Sequence, residues 1–139
     1  MEVISDKLKF KTKGSSDIID ITNMVDRAVQ DGSINSGIIT LFVPGATGAL
    51  TTIEYEPGLV TDLKEFVDRI IPEKSAYSHN LSHSDSNGHA HIRASLFGPS
   101  LVIPFTNKKL LLGIWQHLIF MDFDNRPRDR EVILQLMGD

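Results

Sequence analysis

Four of the five histidines, His79, His83, His89 and His91, fall within the thirteen residues from His79 to His91, with Asp85 among them. Imidazole titrates near neutral pH, ligates borderline divalent metals and pairs with anions, so the cluster points to metal ligation, proton transfer or anion binding. The geometry depends on the local backbone. If Gly88 to Phe97 is helical, His91 and Ser95 share a face at i, i+4 while His89 points elsewhere; if it is extended, His89 and His91 share a face at i, i+2. Either form supplies two ligands. His79 or Asp85 from the preceding loop would complete a His/carboxylate set suited to zinc or a similar divalent ion. The metal candidates are His79, His89 and His91, while His83 reads as a solvated loop residue. The spacing matches no standard zinc signature, and solvated loop histidines are the plainer alternative.

Other residues could share this chemistry. Glu54 ends a strand beside the small-residue turn Pro44-Gly45-Ala46-Thr47-Gly48-Ala49. It could be a general base or a metal ligand, or simply an exposed strand-end carboxylate. The turn admits close approach of a backbone or ligand, or is only a tight turn. Arg93 and the run Arg126, Arg128, Arg130 can grip an oxyanion through bidentate guanidinium contacts. Asp122, Asp124 and Asp129 alternate with that run, which points instead to mutual pairing on the surface. On a strand, Trp115 and His117 share a face and Gln116 points the opposite way beside Leu118 and Phe120, where its amide needs a partner. No phosphate-binding glycine fingerprint, G-x-S-x-G elbow or H-E-x-x-H is present.

The elements that must position these groups follow from periodicity. Lys7, Lys9, Lys11 and Lys13 alternate with Leu8, Phe10 and Thr12, a strand with one wet face whose lysine row suits a sheet edge. Ile21, Met24, Val25 and Ala28 repeat at helical spacing behind Asp20 or Thr22 as a cap. Ile38 to Val43 reads as a strand covered on both faces, and Leu50 to Glu56 as another. Pro57 opens a helix whose stripe is Val60, Leu63, Phe66, Val67 and Ile70. Leu101 to Phe105, Lys109 to Leu112, Ile114 to Phe123 and Glu131 to Met137 read as strands of a C-terminal β-meander. The order predicts one compact α+β domain over residues 1–139, with antiparallel or mixed sheets and two main helices.

Composition bounds the possibilities. A chain of 139 residues with 41% hydrophobic and 23% charged side chains builds one core and lies far from disorder. Its apolar runs are too short to span a bilayer, and its N-terminus lacks the layout of a signal peptide, so the expectation is a cytoplasmic protein with no membrane partner. With no cysteine, disulfides, thiolate nucleophiles and Cys-ligated zinc are excluded. A net charge of −4 argues against nucleic acid as the main partner.

Three blocks coincide in order: LTTIEYEPGL after the Gly/Ala/Thr turn, YSHN…GHAHIRASLFGPSLVIP, and LLLGIWQHLIFMDFDNRPRDREV. Together they resemble the YjbQ-like family, the secondary thiamine-phosphate synthases, from about Gly37 to the C-terminus and more loosely over the first strand. The resemblance implies a small α+β domain assembled as a homotrimer, with the histidine segment near a subunit boundary. It marks His79 and His91 as site histidines, Glu54 as the acidic residue of the turn-strand motif, and Arg93, Ser95, Trp115 and Gln116 as neighbours that form the site. The other half of the site would come from the Thr47 to Glu54 turn-strand and from Trp115-Gln116, on the same or an adjacent subunit. Two departures stand out. Gly45-Ala46-Thr47 replaces a His-Thr-Ser-type turn, which leaves His89 to stand in for a missing histidine, and Ile114 replaces the usual Thr.

The activity this implies is the joining of a hydroxymethylpyrimidine diphosphate to a thiazole phosphate, with Glu54, His91 and Arg93 as catalytic residues. Thr47, Ser95, Trp115 and Gln116 would bind substrate, and a divalent ion would neutralise the leaving diphosphate. Magnesium suits diphosphate oxygens, whereas a histidine set favours zinc or nickel. The alternatives are a trimeric metal- or ligand-binding protein without turnover and a metal-dependent hydrolase of a small phosphorylated substrate.

Overall fold

Alternation does become an edge strand. In the computed structural model, which describes residues 1–139, β1 (Glu2–Thr12) lies at the rim of a five-stranded sheet with Lys7, Lys9 and Lys11 in solvent and Leu8, Phe10 and Thr12 turned inward. The remaining elements are β2 (Asp17–Asp20), α1 (Thr22–Asp31), β3 (Gly37–Phe42), β4 (Gly48–Ile53), α2 (Pro57–Ile70), α3 (His79–Ser82), α4 (Gly88–Phe97), β5 (Ser100–Thr106), β6 (Lys109–Leu110), β7 (His117–Asp122) and β8 (Arg128–Gly138). The larger sheet runs β1-β8-β3-β5-β6 and the smaller β2-β7-β4. Every pairing is antiparallel, so the fold is α+β.

The C-terminal meander is corrected. Only β5 and β6 form a consecutive hairpin; β7 crosses to the centre of the smaller sheet, and β8 returns to lie between β1 and β3. The physical reason lies in β7, where Leu118 through Asp122 are all buried. Leu118 and Phe120 join the main core with Ile39, Leu41, Leu134 and α1 residues Val25 and Val29. Ile119 and Met121 face the other way, onto Val67 of α2 and Ala90 and Ala94 of α4. A strand with two apolar faces needs a layer on each side, which a meander in one sheet cannot supply. Burying each large apolar side chain contributes about 1.5–3 kcal/mol, so this placement outweighs local connectivity.

Further boundaries shift. The Ile38 to Val43 run is covered on one face only: Ile39, Leu41 and Val43 are buried while Ile38 and Phe42 reach solvent in the single chain. In α2, Val60 and Leu63 pack beside the buried Val67, and Phe66 and Ile70 stand exposed. Three helices reach ten residues, one more than expected, because the histidine segment itself becomes helical. The strand expected from Ile114 begins at His117, and Trp115 falls in the turn before it. No helix is long and apolar enough to cross a membrane.

Candidate functional site

Helical backbone from Gly88 to Phe97 decides the histidine geometry. His89 turns inward and is buried, while His91, two residues on, is half-buried and keeps company with the short helix α3. The His79 ring centroid lies 4.6 Å from that of His91 and 4.3 Å from that of His83, with the His79 and His83 planes inclined by only 8°. His83, expected to be a bystander, is therefore part of the cluster. Its Nδ1 lies 3.2 Å from the His79 carbonyl oxygen and 3.0 Å from Ser82 Oγ.

These imidazoles do not form the expected ligand set as they stand. No three His, Asp or Glu side chains are gathered around a common point. Lone pairs lie in the imidazole plane, and the parallel, offset planes of His79 and His83 cannot both contain one ion. His89 is turned away altogether. Its nearest aromatic partner is Tyr77, at 6.4 Å between ring centroids, and its Nδ1 is a buried atom with no hydrogen-bond partner.

Beside His91 a cleft of about 340 Å³ opens between the Pro44–Thr47 turn, Asp85 and Asn87 of the histidine segment, and Arg128–Arg130 at the start of β8. A smaller depression of about 220 Å³ shares Gly45, Ala46 and His91 and is also lined by Ala94, Ser95 and Pro99. The turn can lie this close to β7 because it leads into glycine: a Cβ on Gly48 would stand 2.6 Å from Phe120 Cζ.

The basic wall of the cleft is built from buried ion pairs, not the surface pairing expected. Arg130 donates from Nε and Nη2 to the two oxygens of Asp122 at 2.8 and 2.7 Å, and Thr12 Oγ1 donates to the same carboxylate at 2.5 Å. Arg128 donates from Nε to Asp124 Oδ2 at 2.9 Å, and its Nη2 lies 2.8 Å from the same oxygen in an ion pair. Asp122 and Asp124 are essentially inaccessible to solvent. Burial alone would raise the Asp124 pKa, but donation from the Asn125 amide, Asn87 and Arg128 outweighs it and holds this carboxyl below its usual range. Thr47 links the pairs, accepting from Arg130 Nη2 at 2.8 Å and donating to Asp124 Oδ2 at 3.3 Å.

Each guanidinium is thus fixed along one edge and keeps Nη1 unengaged by the chain. Arg130 Nη1 lies against Gly45, where a Cβ would be 3.6 Å away. The Ala46 and Thr47 amides, at the same turn, have no partner in the chain. Guanidinium and amide N–H groups left unpaired on one cleft suit a phosphate or other oxyanion.

Other expected site residues lie elsewhere. Arg93 is a structural staple: Nε and Nη2 donate to the Ile71 carbonyl at 2.9 and 2.7 Å, Nη1 to Ser16 Oγ at 3.1 Å and Nη2 to Asp68 at 3.0 Å. In this arrangement the guanidinium that the sequence offered as catalytic is taken up by the chain itself. Glu54 is exposed beyond the end of β4, and the working carboxylate there is Glu56, which caps α2 by accepting from Gly58 N and Leu59 N at 3.0 and 2.5 Å. Ser95 is the exception, since it lines the depression beside His91; it is exposed and donates to the His91 carbonyl at 2.9 Å, an i−4 helix bond. Gln116 accepts from Gly113 N at 3.0 Å and donates to Thr52 Oγ1 at 3.4 Å. With Thr52, Leu101–Pro104, Leu111 and Leu112 it lines a separate groove that shares no residue with the histidine cleft. Trp115 is 66% exposed. Thr47, His79 and His91 therefore come together within one chain, whereas Glu54, Trp115 and Gln116 do not join them.

Sequence reasoning missed Asn87 and gave Arg128 and Arg130 to the surface. A signal was available: acids at Asp122 and Asp124 and bases at Arg128 and Arg130 are symmetric about the Asn125–Pro127 bend, and the flanking strands are too apolar to leave those charges in water.

Comparison with known proteins decides the family. The family description "UPF0047 protein YjbQ-like" matches residues 6–139. The chain belongs to the YjbQ-like family. A UPF0047 protein of Archaeoglobus fulgidus is 39% identical to this YjbQ-like chain over 131 residues, covering 94% of this chain and 99% of that protein. The UPF0047 protein YugU of Bacillus subtilis is 32% identical over 133 residues, covering 94% and 97%. A crystal structure of a YbjQ-like protein of unknown function from Sulfolobus solfataricus superposes with a TM-score of 0.93 at 29% identity, covering 99% of both chains. A hypothetical protein from Aeropyrum pernix superposes at 0.90 with 32% identity, covering 100% of both.

The buried His89 makes the YjbQ-like fold sensitive to acid. Burial, and then the Arg93 charge, hold its pKa below the ordinary 6.5. The unfolded chain takes up that proton first, so the contribution of neutral His89 is complete above pH 6.5 and is lost as pH falls below it towards the folded value. Melting temperature should fall over that window, and His89→Phe should flatten the profile. An unchanged slope in the variant would assign the acid sensitivity to other groups.

Proposed function

We propose that the cleft binds the phosphate or diphosphate end of a small phosphorylated molecule, and that the chain joins a hydroxymethylpyrimidine diphosphate to a thiazole phosphate. The observation that carries the reading is the pair of guanidinium groups, Arg128 and Arg130, each anchored by a buried carboxylate with Nη1 unengaged, on a cleft that Ala46 and Thr47, whose amides have no partner in the chain, also line. The thiazole nitrogen attacks the methylene carbon of the pyrimidine, the C–O bond to the diphosphate breaks, and the diphosphate leaves with the bonding electrons. Donors already fixed by the fold stabilise that developing charge without reorganising. His91, in the same cleft, is placed to give a proton to the leaving group.

A divalent ion on the histidines does not fit the arrangement of their rings. Assembly as a homotrimer in the cytoplasm belongs to the same reading. It is supported by the family resemblance and by exposed Phe66, Ile70, Ile92, Leu96, Ile114 and Trp115, which a partner copy would cover. A trimer also offers a route for the Gln116 groove of one chain, with the exposed Trp115 next to Gln116 in sequence, to meet the histidine cleft of another.

Incubating purified protein with both precursors should yield thiamine phosphate and inorganic pyrophosphate, and Arg128→Gln should lower the rate about a hundredfold. Binding of the diphosphate without product would leave a ligand-binding protein. Release of phosphate from simple esters in place of condensation would leave the hydrolase.

A further inference from the structure

We infer that Asn87 is a positioning residue that holds His79 in its Nε2–H tautomer, so that Nδ1 is the basic nitrogen at the centre of the imidazole cluster. The inference rests on the reading that this cluster belongs to the site.

The chain of hydrogen bonds runs outward from a buried carboxylate. Asp124 Oδ1 accepts from the Asn125 amide at 2.9 Å, and Oδ2 accepts from Arg128, so Asp124 is a carboxylate surrounded by donors. An ionised carboxylate can only accept. Asn87, itself buried, must therefore offer it the NH₂ end of its amide, and Nδ2 lies 3.4 Å from Asp124 Oδ1. Reversing the amide would set two acceptors against each other in a site closed to water.

With Nδ2 committed, Asn87 Oδ1 faces His79 Nε2 at 3.1 Å. A carbonyl oxygen accepts and never donates, so that imidazole nitrogen must carry the hydrogen. Neutral imidazole has one N–H, which leaves the lone pair on Nδ1. The ring cannot easily turn to offer the other nitrogen, because it is stacked on His83 at 4.3 Å and abuts His91 at 4.6 Å. Asp124 thereby orients both sides of the site: Arg128 directly and His79 through Asn87.

Long-range ¹⁵N–¹H spectra of the full chain test this, recorded about two pH units above the ordinary imidazole pKa. His79 should show a protonated, pyrrole-type Nε2 and a bare, pyridine-type Nδ1. In Asn87→Leu the two nitrogen shifts should move towards each other as the tautomers mix. A wild-type His79 protonated at Nδ1, or one already mixed, would overturn the inference without any variant, and so would an unchanged spectrum in folded Asn87→Leu. Titration with inorganic pyrophosphate keeps the outcomes separate: a fixed tautomer in a chain that binds no pyrophosphate leaves the inference standing and removes the anion reading.

Discussion

Replacing Asp122 with alanine should cost the fold about 3–5 kcal/mol, the range for removing one partner of a buried ion pair. The carboxylate is fully buried and accepts two N–H groups from Arg130, one hydroxyl from Thr12 and the backbone amide of Asp124. Alanine leaves the Arg130 side chain, only 10% exposed, as an uncompensated charge. It also unties β1 from β7, since Thr12 reaches Asp122 across the two sheets. Denaturant unfolding followed by circular dichroism reads the loss as a lower midpoint at unchanged slope. The control is Asp68→Ala, which removes an ion pair whose acid is 69% exposed and should cost no more than about 1 kcal/mol. Equal costs in the two variants would contradict the buried network.

Arg93→Met should destabilise the chain by roughly 3 kcal/mol and leave anion binding by the folded protein within about twofold of wild type. The guanidinium is 3% exposed, spans from α4 to the Ile71 carbonyl after α2 and to Ser16 before β2, and sits 6.0 Å from the centre of the Phe123 ring. Methionine fills much of the volume but strands the Ile71 carbonyl and the Ser16 hydroxyl. Lysine should recover only part of the loss, because one ammonium cannot reproduce the fork of donors. A tenfold loss of anion affinity with unchanged stability would restore Arg93 to the site.

The contrast between Arg93 and Arg130 shows how far residues alone lead. Both are arginines near apolar segments, and both invite an oxyanion reading. Whether a guanidinium has a free edge depends on partners distant in sequence, Ser16 and Ile71 for one and Thr47 for the other, which no local pattern reveals. The lysine row of β1 and the Pro57 start of α2 were legible because each is set within a few residues, as is the turn at Asn107–Lys108 between β5 and β6. That turn places both residues at positive φ, and Lys108 Nζ goes on to donate to the Gly32 carbonyl at 2.6 Å, closing the end of α1. The division of β7 and β8 between two sheets was hidden, since both strands are apolar and their partners lie up to more than a hundred residues away. The histidine cluster was visible, but its membership was not. Helical geometry exchanged His89 for His83, and Asn87 showed its role only once Asp124 stood beside it.

The most direct measurement is a calorimetric titration of the protein with inorganic pyrophosphate, accompanied by amide and arginine side-chain NMR. The account predicts saturable binding with a Kd below about 1 mM, or at least ~4 kcal/mol. Shifts should be centred on Ala46, Thr47, His91, Arg128 and Arg130, with affinity lowered about tenfold or more in Arg128→Gln. Absence of saturation, or shifts confined to the Lys7–Lys11 edge of β1 and unmoved by that substitution, would contradict it.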